Sequence, residues 1–322
     1  MDAVRECCAG LDVHQKTVVA CILKGALDAK PRTIIKSFGT TTKELLQLQD
    51  WLEEHQCSEV VMENTGVLWK PVWNVLESSC NLVLANARNI KNIPGRKTDT
   101  KDAQWIAQLH RCGLVEASMV PPQHIRDLRD WTRYRRKLVQ TITAEKNRIH
   151  KTLQDANIKL STYMSNLFGT SGRMLLEKLM NGEVLDEAEV KGLVKTKLKR
   201  KVPQLLEALN GKLRLHHREL IAIHWDTIIH LETQVERVEA KIDACIEAYK
   251  TEIGWLDSIP GVDHTAAVAI FAEIGPDVTT TFPTDAQLAS WAGICPGSNE
   301  SAGKKKGSKC LQGNKHMKAV LT

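Results

Sequence analysis

Four carboxylates stand where apolar runs end or helical patterns begin. Asp12 lies in AGLDVH near the end of the first apolar run, Glu63 closes another in VVMEN, and Asp99 and Asp102 open a helical pattern in KTDTKDA. Two acids three residues apart on a helix share a face. Strand ends and a helix start can converge on one edge of a sheet, where four carboxylates repel one another unless cations lie between them. An oxygen-only donor set suits Mg2+, with Mn2+ as the alternative, and a pair of such ions can clamp the attacking and leaving oxygens of a phosphodiester. Taken singly, each acid has an ordinary reading: Asp12 as a turn residue, Glu63 as a strand-end acid, Asp99 as a helix cap.

A second candidate lies in WAGICPGSNESAGKKKGSK. Ser301 follows Glu300 and precedes Ala302, Gly303 and the lysines Lys304, Lys305 and Lys306. A serine hydroxyl is a weak nucleophile unless a base or metal activates it, and the closest histidine along the chain is His316. Activation would have to come from a carboxylate–cation cluster elsewhere. Gly297, Gly303 and Gly307 permit close backbone approach to a phosphate, and the three lysines can neutralise charge on a pentacovalent phosphorus. The ordinary reading is a flexible, solvated Ser/Gly/Lys loop; Ser298 is the nearest competing hydroxyl.

These groups must be positioned by what surrounds them. Cys7–His14, Thr17–Lys24 and Arg32–Phe38 read as a three-stranded meander. A helix from Thr42 to about His55, a strand Glu59–Met62, a helix Val67–Ser78, a strand Asn81–Ala85 and a helix from Thr98 follow. The order β-β-β-α-β-α-β-α predicts an α/β domain whose later strands are parallel. From about Gln123 to Tyr249 the pattern is helical. Ile221, Ile228, Val235, Ile242 and Tyr249 recur every seven residues, with His224, Leu231, Val238 and Cys245 three further on, which predicts a coiled coil or a seam packed inside the chain. The glycine-containing stretch Gly169–Gly211, with its run KGLVKTKLKRK, is expected to be a mobile or partner-ordered insertion. From Ile253 a small, mostly α module follows. It ends at Lys315–Thr322 in what reads as the start of a helix with nothing to pack on, so the expectation is that a C-terminal segment is missing. The expected domains are therefore 1–121, 122–250 and 251–322.

Composition sets outer limits. The chain has 322 residues, 43% of them hydrophobic and 25% charged, the balance of a globular protein of about two domains. No apolar run is long enough to cross a bilayer, and the start MDAVRE carries no signal-peptide pattern. Nine cysteines without a CxxC pair argue against a disulfide framework or a Cys-based zinc site, and point to a reducing cytoplasm. Residues 1–121 hold 14 basic and 14 acidic side chains; residues 122–151 hold 9 and 3, residues 191–201 hold 6 and none, and residues 301–322 hold 6 and none. A neutral front followed by three basic patches points to a polyanion, most simply nucleic acid; solvated helix faces are the other reading. In the first patch, Arg126, Arg129, Arg133, Arg135, Arg136, Lys137 and Arg148 ride on a helix Gln123–Leu153 that also carries an apolar stripe, a form suited to phosphate contact. Trp131 and Tyr134 can stack on bases or pack in the core. The turn Ile259-Pro260-Gly261-Val262 is either half of a phosphate-binding helix-hairpin-helix or a Pro-Gly turn with Asp263 as a cap.

LDVHQKT, VVMENTG, LANARNIKNIPGRKTDTKDAQWIAQL and, later, IPGV…WAGICPGSNESAGKKKG…GNK together resemble the DEDD-type insertion-sequence transposases, relatives of the pilin-inversion invertases that include bridge-RNA-guided recombinases. The resemblance runs in order over nearly the whole chain. It implies a RuvC-like (ribonuclease-H-type) N-terminal domain, a coiled-coil linker and a C-terminal transposase domain. It further implies Asp12, Glu63, Asp99 and Asp102 as the Mg2+-binding carboxylates and Ser301 as the serine that attacks DNA and forms a covalent phosphoserine. The implied partners are donor and target DNA, a structured guide RNA, and further copies of the chain, as a dimer or tetramer joined through the coiled coil, with no membrane. A bacterial cytoplasmic, nucleoid-associated location follows. The alternative activity is a junction-resolvase-like metal-dependent nuclease in which water attacks.

Overall fold

The computed structural model describes residues 2–64, 66–86, 99–296, 299–301, 303–307, 309–310 and 312–322; the side chains of 99–101, 299–301, 305 and 306 lie outside that description. The chain divides into two compact units, 1–120 and 121–322.

The first unit is built on five strands, β1 (Cys7–Val13), β2 (Thr17–Lys24), β3 (Arg32–Gly39), β4 (Glu59–Glu63) and β5 (Asn81–Ala85), in the order β3-β2-β1-β4-β5. The first three form the expected antiparallel meander, and β1, β4 and β5 run parallel. β1 and β2 are apolar on both faces because both faces are covered. Ala9, Leu11, Val13, Val60 and Met62 meet α1 (Thr42–Glu54) and α2 (Trp69–Leu76) through Leu45, Leu48, Leu52, Val72 and Leu76. Cys8, Cys21, Val61 and Ala85 lie on the face covered by Ala103, Ile106 and Ala107 of α3 (Asp99–Arg111). Thr41 starts α1 by accepting the Glu44 N–H. At the far end of α3 the buried Arg111 guanidinium donates to the carbonyls of Glu6, Gly25 and Ala26, tying the start of β1 to the end of β2.

His110 beside it is also buried. Burial, aided by the Arg5 charge and opposed by Glu59, pulls its pKa down to about 4 from 6.5. The folded state therefore holds a neutral imidazole where the unfolded chain takes up a proton. Stability is expected to fall as pH drops from about 6.5 to about 4, by about 3 kcal/mol in all. Urea titrations across that window should show the loss, and His110→Leu should flatten it.

The second unit centres on two long helices, α4 (Gln123–Asp155) and, further along the chain, Leu215–Ile246. They run antiparallel: His224 Nδ1 lies 2.7 Å from Glu145 Oε2, Arg135 Nη2 lies 2.6 Å from Glu239 Oε1, and His217 Nε2 lies 2.8 Å from Asp155 Oδ2. The heptad seam is thus filled within the chain: Ile221 and Ile228 pack with Ile142, Ile149 and Leu153, and Val238 and Ile242 with Ile125, Leu128 and Leu138. Each fully buried Ile or Val contributes about 1.5–3 kcal/mol. Of the two readings of the heptads, a coiled coil or a seam packed inside the chain, these contacts give the second.

The segment expected to be mobile is folded. α5 (Thr170–Asn181), α6 (Glu187–Leu193), a 3-10 turn (Thr196–Lys201) and α7 (Val202–Leu209) bury Leu175, Leu176, Leu179, Val190, Val194, Val202 and Leu205 against the start of α8 (Leu215–Ile246) and the end of α4. Its glycines serve packing and capping. A Cβ at Gly172 would stand 1.9 Å from the Leu167 carbonyl oxygen, and Gly182 ends α5 at φ 75°.

Beyond α9 (Lys250–Asp257), α10 (His264–Ile274) packs on α4 and α8 through Ala267, Val268 and Phe271. α11 (Asp285–Ala292) and α12 (Lys315–Leu321) complete the unit. α12 does have something to pack on: Met317 is buried with Ile270, Ile274 and Ala292. The Ser/Gly/Lys stretch between these two helices is a β-hairpin, β6 (Asn299–Ser301) with β7 (Lys304–Gly307).

Candidate active site

The register of the sheet brings two of the four acids together. β1 and β4 pair Ala9 with Val60, Gly10 with Val61 and Leu11 with Met62. One residue further, Asp12 and Glu63 stand level on neighbouring strands, with backbones about 4.8 Å apart. By alternation both lie on the face that carries Gly10 and Val61, the face covered by α3. Asp12 is 6% exposed, and its Oδ2 lies 3.1 Å from His14 Nε2.

α3 runs opposite to β1, and Gly10 fixes its height. A Cβ on Gly10 would stand 2.4 Å from both the Ala103 carbonyl oxygen and the Ala107 nitrogen. Two strand residues rise about 6.6 Å, which is four to five helical residues. Asp12 is therefore level with the first turn of α3, where Asp99 and Asp102 stand. Ala103, Ile106, Ala107 and His110 are buried, and Asp102 continues that stripe. Asp102 is half-buried; the Asp99 side chain lies outside the described residues. Carboxylate oxygens are the donor type a hard divalent cation takes, but among the described residues Asp12, Glu63 and Asp102 do not bring three oxygens within 4.8 Å of one another.

Gly10→Ala tests this construction. Backbone faces backbone, so the helix itself must move. A loss of about 1–3 kcal/mol in urea unfolding is expected; if Asp102 serves the cutting chemistry, DNA cleavage should fall further than the lost stability explains.

In the second unit, Ser301 is the last residue of β6, paired with Lys304 across the turn, where Gly303 has φ 72°. The base of the hairpin is cinched. Pro296 bridges Cys310, Asn314 N donates to the Trp291 carbonyl at 2.9 Å, and a Cβ on Gly313 would strike Gly293 N at 2.3 Å. Among the described residues the stretch is a hairpin pinned at its base rather than the flexible loop of its ordinary reading. Lys304 is exposed; the side chains of Ser301, Lys305 and Lys306 lie outside the described residues.

Most arginines of α4 have partners within the second unit, and those beyond Arg129 keep part of their side chains exposed. Arg126 is buried and donates to the Pro121 carbonyl and to Gln123. Arg129 donates to the Ala272 carbonyl at 2.7 Å and to that of Glu273. Arg133 grips Glu273 with two 2.8 Å bonds. Arg135 pairs with Glu239, and Arg136 donates to the carbonyls of His316 and Ala319 in α12. Arg148 pairs with Glu145 while remaining exposed, and Lys137 is exposed. Trp131 packs into the core; Tyr134 is half-exposed.

Sequence reasoning missed Glu273, which is 2% exposed and also accepts from Asn314 Nδ2 at 2.7 Å. Burial alone would push its carboxyl up; the hydrogen bonds and charge of Arg133, with Asn314 and Arg129, hold it below the usual carboxylate range. Burial pulls Arg129 down to about 10, still charged at neutral pH. The one hint was an acid inside the otherwise apolar run AAVAIFAEIG.

At the IPGV turn the capping alternative holds: Asp263 Oδ1 accepts the Ala266 N–H at 2.7 Å, which places a carboxylate where a phosphate would sit. A further cluster, Asp155, His216 and His217, has ligand-type atoms within 4.8 Å of one another. The Arg214 backbone N–H donates to His217 Nδ1 at 3.2 Å, so Nε2 carries the proton and donates to Asp155. With Arg214 Nη2 3.9 Å from the same carboxylate, the cluster is a clasp between α4 and α8.

The first unit is an α/β domain whose sheet joins an antiparallel meander to parallel strands, and a helical unit follows it in the chain. The family model for the IS110-type DEDD transposases, described as transposase, matches residues 9–158, and that described as transposase IS116/IS110/IS902 family matches residues 254–322. The chain belongs to the DEDD-type insertion-sequence transposases, DNA-cutting enzymes that bind DNA. Among solved structures it is similar to the RuvC structure of Thermus thermophilus, at 10% identity over 35% of this chain and 99% of that one, TM-score 0.28. It is also similar to T. thermophilus RuvC in complex with Holliday junction substrate, at 13% identity over 35% and 100%, TM-score 0.27. No curated protein matches the chain. Among the described residues, no helix is long and apolar enough to cross a membrane.

Proposed function

We propose that this transposase cuts and rejoins DNA through a covalent phosphoserine at Ser301, with Asp12, Glu63, Asp99 and Asp102 holding Mg2+ or Mn2+. The observation that carries the reading is the level placement of Asp12 and Glu63 beneath the first turn of α3. When bound, the cation supplies charge neutralisation at the scissile phosphate and acidity to a coordinated hydroxyl. Ser301 Oγ forms the new bond to phosphorus while the strand oxygen leaves. The hydroxyl proton is given up and the departing oxygen gains one. Attack of a second strand's hydroxyl on the phosphoserine then restores a phosphodiester and frees the serine. Lys304, Lys305 and Lys306 offset charge on the phosphate, and Lys137 and Arg148 add contacts along the backbone. A structured non-coding RNA selects donor and target DNA, and copies of the chain assemble so that acids and serine meet, within one subunit or between two.

The test is denaturing electrophoresis of end-labelled DNA after incubation with Mg2+. Wild-type protein should yield a covalent protein–DNA adduct, Ser301→Ala none, and Asp12→Asn neither adduct nor cut. An adduct that persists in Ser301→Ala overturns the serine role. Cutting by that variant without any adduct would instead support the water-dependent nuclease.

A further inference from the structure

The basic run after α6 has no part in the reading above, and its geometry is unusual. Residues 191–201 hold six basic side chains and no acid. The 3-10 turn Thr196–Lys201 is anchored at both ends. Val194 and Val202 are buried, the Lys195 N–H donates to the Ser171 hydroxyl at 3.0 Å, and Leu198 packs against the core. Thr196, a β-branched residue, is held at φ 51°, a left-handed conformation it rarely adopts.

A 3-10 helix has three residues per turn, so residues three apart line up in columns. Lys195 and Lys201 share the column of Leu198 while remaining exposed, and the Lys201 ammonium donates to the Tyr163 carbonyl at 3.2 Å. The outward columns carry Lys197 with Arg200, and Lys199. All three are exposed and have no ion-pair partner among the described residues. A solvated helix face normally interleaves both signs of charge; this one presents a single sign on a strained, fixed turn.

We infer that the Lys197–Arg200 face is a preformed docking element for the phosphate backbone of duplex DNA, separate from the carboxylates and from the serine hairpin. Lys197 and Arg200 are about 6 Å apart along the turn, a separation that lets both reach neighbouring phosphates of one strand. No aromatic residue occurs in 191–201, so the turn lacks the stacking platform on which single-strand recognition relies. The inference rests on the chain being a DNA transposase and not on the serine chemistry.

The experiment is equilibrium binding of a duplex oligonucleotide to the full chain in EDTA, so that no cutting occurs, across a salt series. A Lys197→Gln, Lys199→Gln, Arg200→Gln variant should bind at least tenfold more weakly near 150 mM salt, with a slope of log K against log salt shallower by about 2–3. The singles Lys197→Gln and Arg200→Gln should each lose about threefold, which keeps the test valid if the triple variant melts early. Lys197→Arg with Lys199→Arg should retain wild-type binding. Unchanged duplex affinity and slope in the triple variant would overturn the proposal, as would a loss confined to single-stranded or RNA ligands.

Discussion

Asp12→Asn and Ser301→Ala are each expected to lower strand exchange by three or more orders of magnitude while leaving the melting temperature within a few degrees of wild type. At about 1.4 kcal/mol per factor of ten, that is at least about 4 kcal/mol of transition-state stabilisation per side chain. The origins differ. On the proposed mechanism, asparagine keeps the shape of Asp12 and its place level with Glu63 but removes the charge proposed to hold the cation. Alanine at 301 removes the atom proposed to bond to phosphorus. Groups that act in one step are not additive, so the double variant should be no worse than the poorer single. Single-turnover rates on labelled DNA measure this; additive losses in the double variant would mean the acids and the serine serve separate reactions.

Glu273→Ala is expected to destabilise the second unit by about 3–5 kcal/mol, because it leaves the Arg129 and Arg133 guanidinium groups without the carboxylate that balances them in a buried site. Thermal unfolding should show it, together with loss of hydrogen-exchange protection in α12, whose Asn314 cap also binds Glu273. Replacing Glu273, Arg129 and Arg133 together by leucine should recover much of the loss. The pH dependence has a definite sign. Glu273 is held below its ordinary carboxylate value, so its contribution is full above that ordinary value and is lost as pH falls through the folded-state one.

Much of the first unit was legible from local pattern. Strands covered on both faces read as continuous apolar runs, and the acids at their ends broke those runs. The level placement of Asp12 and Glu63 was not legible, since pairing register is a property of two distant segments. The heptads after Ile221 marked an apolar seam without saying what fills it; the partner was α4, some eighty residues earlier. The arginines of α4 were visible as charge, but Glu273 and the carbonyls of α10 and α12 lie more than a hundred residues away. Gly172 and Gly182 looked like flexibility, although one permits a backbone to approach and the other ends a helix.

The long helix α4 also acts as a ruler. From Arg136, which holds α12 beside the serine hairpin, to Ile149 and Leu153, against which the cap with the basic turn packs, it rises on the order of 20–25 Å. A hydrogen-bonded helix stretches very little, so the spacing between these attachment points is set by residue count alone. A duplex engaging both would be gripped over about two thirds of a helical turn, and inserting or deleting one α-helical turn in α4 would shift that footprint by about 5 Å.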